Sequence, residues 1–159
     1  MRATFCLAIL LAVAAAACGP KIDLKTALQV QDATTGWTDL GVVNGQNKLV
    51  PSIAFKFKNA SDQAITTLQT NVIFRRVAED DEWGSGFLRV TGTEGLGPGA
   101  SSQVLRVKSQ LGYTGTETRQ QMLDNKQFVD ARAQVFAKYG STQWTLIAEF
   151  PVERKLVTQ

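Results

Sequence analysis

The sequence of 159 residues contains no histidine and only two cysteines, Cys6 and Cys18. The absence of histidine removes the usual general base and the commonest metal ligand in proteins. A Cys/His zinc site, a Ser–His–Asp triad and a Cys–His pair therefore cannot be assembled from this chain. We expect a protein that is not an enzyme and that carries no cofactor and no metal ion.

Positively and negatively charged residues are nearly equal in number and are scattered along the chain. The 17 Lys and Arg residues face 14 Asp and Glu residues, for a formal charge of +3, and no basic cluster suggests nucleic acid as a partner. The acidic run 79–82 is best interpreted as a solvated face. A weak calcium site is the alternative, but the ligand alternation and the glycine of an EF-hand loop are missing.

The sequence gives only weak support for phosphate binding and for hydrolysis by two carboxylates. The glycines of segment 92–99 are not followed by Gly-Lys-Ser/Thr, so they indicate turns rather than a phosphate-binding loop. Hydrolysis by two carboxylates remains formally open, although no motif pairs the candidates. Those candidates are Asp80, Asp81, Glu82, Asp130 and Glu149.

The strongest positive signal lies in the first 17 residues. A positively charged start at Arg2, an apolar run over 5–13 and a series of alanines before Cys18 are typical of a secretory signal peptide. A membrane-spanning helix is the alternative, but a span needs about 20 apolar residues, and Gly19 and Pro20 end this stretch earlier. We predict a helical signal peptide over residues 1–17.

The alanines directly before Cys18 indicate how the chain is expected to be attached to a membrane. The string Ala15-Ala16-Ala17-Cys18 resembles the lipobox of bacterial lipoproteins, in which the cysteine is acylated and the chain is cut just before it. Ala15 departs from the usual leucine, and ordinary cleavage after Ala17 also fits. Acylation explains why an exported protein would keep one unpaired cysteine once Cys6 is removed.

The resemblance to lipoproteins has three consequences for this chain. It implies that Cys18 carries at least two acyl chains, enough for firm anchoring. It implies a location in the cell envelope. In bacteria with two membranes, an aspartate after the cysteine tends to retain lipoproteins in the inner membrane, so Gly19 favours the outer membrane, with the domain facing the periplasm.

The remainder of the chain predicts one β-rich domain over residues 25–155, preceded by a lipid anchor and tether at 18–24 and followed by a tail at 156–159. Apolar residues alternate with polar ones in several runs, turn signals separate them, and only segment 117–124 is expected to be helical. We predict an all-β, antiparallel, immunoglobulin-like sandwich of seven to eight strands, with a closed barrel as the alternative. The predicted strands are 22–30, 37–43, 49–58, 65–77, 87–91, 103–109, 129–137 and 144–152.

Residues 50–76 also carry a generic resemblance. The alternating strand Ile53–Lys58, the turn Asn59-Ala60-Ser61-Asp62 and the next strand, Ile65–Phe74, resemble small bacterial envelope domains with an immunoglobulin-like fold. That similarity implies a fold and not an activity.

The aromatic residues are the remaining candidates for a site. Trp144 shares an apolar strand face with Leu146 and Phe150 and is expected in the core, whereas Phe136 alternates with polar residues and is expected to face outward. Trp37, Trp83 and Tyr113 lie beside turns, where exposed rings can anchor a partner. The alternative is that each of the three folds back to cover an end of the sandwich.

Together these observations favour a membrane-tethered, non-catalytic binding or assembly module of the bacterial cell envelope. Its partner would be a protein, a glycan or another envelope component. The alternative is an accessory carrier that holds an apolar ligand between the sheets or under segment 110–127. A cavity lined by Phe and Leu would favour the carrier, and a tightly filled core would count against it.

Overall fold

The computed structural model describes residues 21–158, so the signal peptide over 1–17, the lipidation candidate Cys18 and the terminal Gln159 lie outside the described residues. Nine strands and two short helices occur in this part of the chain. Their bounds are α1 Leu24–Ala27, β1 Leu28–Val43, β2 Gln46–Asn59, β3 Leu68–Arg76, β4 Gly84–Arg89, β5 Leu105–Lys108, β6 Tyr113–Gly115, α2 Arg119–Asp124, β7 Ala131–Tyr139, β8 Thr145–Pro151 and β9 Leu156–Val157.

The strands form two separate sheets, which confirms the predicted sandwich over the closed barrel. The first sheet has the order β5-β2-β1-β9, with β6 also paired to β2, and the second has the order β4-β3-β7-β8. All pairings are antiparallel except the short one between β1 and β9. Antiparallel sheets with one wet face require the alternation of apolar and polar residues that the sequence shows.

The core lies between the two sheets and is filled by alternate residues of the central strands. Each fully buried large apolar side chain contributes about 1.5–3 kcal/mol relative to leaving it exposed. On β3 and β7 every second side chain is buried, and the intervening ones face outward. The largest fully buried apolar side chains are those of Trp37, Leu49, Ile53, Phe55, Phe57, Ile65, Leu68, Phe74 and Leu123.

The hairpin of β1 and β2 differs in part from the prediction. Asn44 and Gly45 form the predicted turn, both with positive φ. The segment Asp32–Gly36, however, is not a turn. A register shift between Gln31 and Thr34, with Asp32 at φ 53°, absorbs it as a β-bulge. Trp37 therefore lies inside one strand of 16 residues instead of starting a short edge strand.

Several short elements also depart from the sequence pattern. Leu24–Ala27 is one turn of helix, not strand, because the Asp23 carboxylate accepts a hydrogen bond from the Lys25 amide at 3.0 Å and caps it. Leu156–Val157, predicted as tail, pairs with β1. Strands of two or three residues such as β9 and β6 are too short to show periodicity, so the described strands number nine rather than seven to eight.

The predicted helix near 117–124 is confirmed as α2. Thr118 and Gln121 form a capping box at its N-terminus, an arrangement in which each side chain binds the other residue's amide. Met122 and Leu123 are its buried residues.

The prediction that Trp144 belongs to the core is wrong. The register between β7 and β8 shifts at Val135 and Phe136, where Ala148 and then Leu146 are the successive partners. The extra residue, Ile147, is a β-bulge, and a slip of one residue moves side chains to the other face of a sheet. Trp144 and Leu146 are consequently 39% and 38% exposed.

The two ends of the sandwich are distinct, and we name them for later use. The N-terminal end holds Lys21 and the first residues of β3 and last residues of β7, which pair as Leu68 and Tyr139. The Ile22 amide donates to the Tyr139 hydroxyl there at 2.9 Å. The far end holds the opposite termini of the same strands, which pair as Arg76 and Ala131.

Candidate functional site

Trp37, Trp83 and Tyr113, which the sequence places in three separate segments, meet at the far end of the sandwich. The ring centroids are 6.1 Å apart for Trp37 and Trp83, 5.7 Å for Trp37 and Tyr113, and 5.0 Å for Trp83 and Tyr113. Phe128 completes the group, 4.6 Å from Trp37 and 4.5 Å from Tyr113. We call these four residues the end cluster.

The members of the end cluster differ in exposure. Trp37 is fully buried and Phe128 is nearly so, whereas Trp83 and Tyr113 are half-buried. Trp37 therefore covers the end of the core. For this residue the alternative holds, in which the ring folds back onto the sandwich instead of binding a partner. Only Trp83 and Tyr113 of the three predicted rings present surface to solvent.

Local backbone features bring the rings together. The Trp83 amide donates to the Phe74 carbonyl at 2.8 Å, which ties the acidic loop back to β3. At Gly112 a Cβ atom would stand only 2.0 Å from the Leu49 carbonyl oxygen, so glycine permits the close approach that pairs β6 with β2. Tyr113 follows directly and reaches the cluster.

Two guanidinium groups lie against the end cluster. Arg76 Cζ is 5.7 Å from the Trp83 ring centroid, and Arg154 Cζ is 5.2 Å from that of Phe128. Cations over aromatic faces are attracted by the ring quadrupole. Arg76 is also paired with Glu79 at 2.8 Å and Arg154 with Asp130 at 2.6 Å, so the rings are flanked by two ion pairs.

Arg154 joins three parts of the far end. Besides Asp130, its guanidinium donates to the carbonyls of Leu123, Asn125 and Phe128 at 3.2, 3.3 and 2.8 Å. The hydrogen bond to Asp130 raises the pKa of this guanidinium. The loop after α2 is thereby fixed against the chain that follows β8.

Two polar groups of the end cluster, the indole N–H of Trp37 and the hydroxyl of Tyr113, differ in their hydrogen bonding. Trp37 Nε1 is buried and has no hydrogen-bond partner within residues 21–158, a condition that is uncommon and costs free energy. The Tyr113 hydroxyl donates to the Val129 carbonyl at 3.1 Å. Burial of the phenol raises the pKa of Tyr113, and the hydrogen bond to Val129 opposes that shift.

A small pocket opens beside the end cluster, between Tyr113 and Phe128 and the start of the loop after α2. Its volume is about 130 Å³. The wall combines two rings and a thioether with amide and carboxylate groups. The lining residues are Tyr113, Thr114, Glu117, Met122, Asn125, Gln127 and Phe128.

A second pocket, at the N-terminal end, has a volume of about 250 Å³. It is open to solvent and is lined by apolar groups such as Ile22 and Leu24 together with polar groups, among them Lys21, Asp23, Thr142 and Gln143. Neither pocket lies between the sheets among Phe and Leu side chains. Both are smaller than the 300–1,000 Å³ typical of sites for drug-sized ligands.

Three of the five candidate carboxylates, Asp80, Asp130 and Glu149, form ion pairs on the surface. Arg132 contacts Asp80 at 3.3 Å and Glu149 at 3.7 Å, and Asp130 is occupied by Arg154. Within residues 21–158 no group of three or more Asp, Glu, His or Cys side chains is arranged to hold a metal ion. No helix in the same range is long and apolar enough to span a membrane.

Sequence reasoning missed Phe128, Arg76 and Arg154 as members of the far end. Arg154 stands between Glu153 and Lys155, and nothing in the sequence distinguishes it from these charged neighbours. Phe128 and Arg76 carried no signal either, because their proximity to the tryptophans depends on how β3 and β7 pair.

Comparison with known proteins gives a likeness of shape alone. No family model matches the chain, and no curated protein matches it. A Northeast Structural Genomics Consortium target, SoR45, is 15% identical, with a TM-score of 0.44 over 82% of this chain and 89% of that one. A protein of Arabidopsis thaliana solved in solution is 9% identical, with a TM-score of 0.43 over 79% and 80%. A protein from Archaeoglobus fulgidus is 12% identical, with a TM-score of 0.36 over 79% and 98%.

Proposed function

We propose that this chain is a non-catalytic binding or assembly module of the bacterial cell envelope, tethered to the outer membrane through acylated Cys18 and facing the periplasm. The partner, a protein or a glycan, binds at the far end of the sandwich. The observation that carries the proposal is the convergence of Trp83 and Tyr113, over buried Trp37 and Phe128, at the end opposite Lys21.

The chemistry of the end cluster supports binding. Tryptophan, tyrosine and arginine dominate the energetics of protein interfaces because they combine large rigid area with polar groups. Trp83 and Tyr113 offer two half-buried rings whose position is held by the buried pair beneath them. The pocket of about 130 Å³ next to Tyr113 suits a single side chain or one sugar ring.

The position of the end cluster supports a tethered module. Only Gly19 and Pro20 separate Cys18 from the first described residue, so the N-terminal end is kept close to the membrane that holds the acyl chains. The far end is then turned away from that membrane. A partner in the periplasm can reach it without contact with the bilayer.

The carrier alternative has less support. The core between the sheets is filled by buried Phe, Leu, Ile and Val side chains, and the pocket under segment 110–127 is small. An acyl chain or another extended apolar ligand would need either an enlarged pocket or separation of the sheets.

The test uses site-specific photo-crosslinking in cells of a bacterium with two membranes. A photoreactive residue replaces Thr114, which is exposed and lines the pocket at the far end. The matched control carries it at Asp62, which is exposed in the loop between β2 and β3. We expect a discrete crosslinked product at 114 and none at 62.

Two further variants separate the tether from the binding site. Cys18→Ser should move the protein from the membrane fraction to the soluble fraction without unfolding it. Tyr113→Ala should abolish the product at 114 while the protein stays in the membrane. Equal crosslinking at 114 and 62 would contradict the binding site, and a membrane-bound Cys18→Ser protein with an N-terminus other than residue 18 would contradict the tether.

A further inference from the structure

A second group of apolar side chains lies in solvent on the outer face of the sheet β4-β3-β7-β8. Phe87 is 59% exposed, and Trp144 and Leu146 are 39% and 38% exposed. The Trp144 ring reaches Phe87 edge to face, with centroids 6.2 Å apart. Half-buried Phe136 is the cross-strand partner of Leu146. We call Phe87, Phe136, Trp144 and Leu146 the outer patch.

The outer patch lies in the half of the face nearer the N-terminal end, and its Trp144 is next to where the chain enters the domain. The residues on both sides of Trp144, Gln143 and Thr145, line the pocket that also contains Lys21. The tether from Cys18 to Lys21 spans three residues, which extend at most about 11 Å. Any surface that holds Cys18 is therefore within reach of Trp144.

The charges around the outer patch are mainly positive. Lys138 Nζ lies 5.0 Å from the Trp144 ring centroid, and Arg89 is in the same row of the face, linked through Gln69. Lys21 and Lys25 are exposed where the chain enters. Two nearby carboxylates accept hydrogen bonds from backbone amides close to them in the sequence. Asp23 caps α1, and Glu94 accepts a hydrogen bond from the Gly92 amide at 2.7 Å.

The same face changes character toward the far end. In the next rows Ile73 and Glu149 flank Gln134, and Arg75 pairs with Arg132, so the aromatic side chains do not continue toward the far end. The aromatic part of the face is thus confined to the half nearer the tether. This is the distribution expected of a surface that meets a membrane on one side only.

We propose that the outer patch lies in the interfacial zone of the lipid bilayer, with Trp144 and Phe87 inserted among the lipid headgroups and Lys138 and Arg89 against anionic lipids. The inference rests on the proposed acylation of Cys18. Tryptophan is enriched at membrane interfaces, and basic residues near an anionic surface are attracted to it. The short tether keeps the bilayer at a high effective concentration near the outer patch. The inserted state is therefore populated even if the outer patch has only a weak affinity for lipid.

The experiment measures quenching of tryptophan by lipid. The acylated full-length mature protein is reconstituted into vesicles of phosphatidylethanolamine and phosphatidylglycerol, with or without bromine on the acyl chains near the headgroup. We expect brominated lipid to reduce the emission of the wild-type protein. Trp144→Phe, which keeps an aromatic ring, should lose most of this quenching, because Trp37 and Trp83 lie at the far end.

A charge substitution tests the insertion without removing the fluorophore. Leu146→Glu places a carboxylate in the outer patch and should reduce the quenching of Trp144. The matched control Gln46→Glu adds the same charge at an exposed position beside the β1–β2 turn and should leave the quenching unchanged. Circular dichroism confirms that both variants remain folded.

The outcomes distinguish this inference from the tether. Protein that floats with the vesicles but shows no quenching at Trp144 overturns the inference and leaves the tether intact. Protein that does not float overturns both. If bromine has no effect but Leu146→Glu separates a dimer, the outer patch contacts a second copy of the chain, and the inference is overturned.

Discussion

The end cluster and the outer patch are built from the same kinds of side chain but occupy opposite ends and opposite environments. The end cluster stacks four rings over the end of the core, with Trp37 fully buried. The outer patch spreads two phenylalanines, a tryptophan and a leucine over a solvent-facing sheet. Both groups also have a cation against a tryptophan, Arg76 on Trp83 and Lys138 on Trp144.

This difference shows that an aromatic residue in a β-sandwich can serve either the core or a surface, and that neighbours across the strands decide which. Rings of the end cluster come from four segments and are in mutual contact, so each is supported on several sides. Rings of the outer patch have the sheet on one side and water on the other. The first arrangement holds two half-buried rings in place over a buried pair, and the second leaves apolar area exposed on the outer face of a sheet.

The largest expected effect is a difference in the free energy of unfolding between variants of Trp37 and of Trp144. Trp37→Ala removes a fully buried ring and should lower the free energy of unfolding by about 3–5 kcal/mol. Trp144→Ala removes a ring that is 39% exposed and should cost less than about 1 kcal/mol. Urea unfolding of both variants with unchanged m-values measures the difference. Similar losses for the two would show that Trp144 is also a core residue.

A smaller effect is expected from the backbone that positions Tyr113. Gly112→Ala brings a Cβ to 2.0 Å from the Leu49 carbonyl oxygen, and since this neighbour is backbone, β6 must shift. Overpacking of this kind costs about 1–3 kcal/mol. Urea unfolding together with tryptophan emission, which reports on the end cluster, measures the effect.

Gly97→Ala is the matched control for this change. Nothing lies within 4 Å of a Cβ built at Gly97, and its φ is not in the left-handed region. We expect its stability and emission to match those of the wild type. A tolerated Gly112→Ala with unchanged emission would mean that Tyr113 does not depend on the close approach of β6 to β2.

The smallest expected effect is a pH dependence specific to the end cluster. Because burial raises the pKa of Tyr113 above its ordinary value of about 10, the folded protein holds the phenol proton at pH values where the unfolded chain has lost it. The resulting stability is complete below the unfolded pKa and is lost as pH rises through the folded pKa. Wild-type stability should therefore fall more steeply above about pH 10 than that of Tyr113→Phe.

Urea midpoints measured at a series of alkaline pH values give the two slopes. Loss of the hydrogen bond to Val129 gives Tyr113→Phe a constant offset, which does not affect the slope. Identical slopes would show that the phenol is solvated in the folded protein as in the unfolded chain. No such difference is expected for the outer patch, which contains no titratable group.

Much of the fold could be predicted because two-residue periodicity reports directly on burial in a sheet. The alternation in β3 and β7, the turn at Asn44 and Gly45 and the helix after Thr118 each arise from local chemistry. The β-bulges could not be predicted, since an extra residue is stabilised by its partner strand and not by its own sequence. That limit explains the errors at Asp32 and at Trp144.

The candidate site was predictable only in part. Proximity to turns identified Trp37, Trp83 and Tyr113, but not that Trp37 would be buried or that Phe128 would join them. Their meeting depends on contacts between residues far apart in the chain. Arg154 likewise acquires its four partners only when the segment after β8 returns to the loop after α2.

The sequence by itself determined the class of fold, the absence of histidine chemistry and the prediction of a secreted, acylated chain, because composition, periodicity and the lipobox-like string are local properties. The tertiary structure decided which aromatic residues are buried and which ends of the sandwich they occupy. The physical reason is that strand register and bulges are set by pairing across the sheet, and a shift of one residue exchanges core and surface. For Trp144 that exchange converted an expected core residue into the centre of an exposed patch.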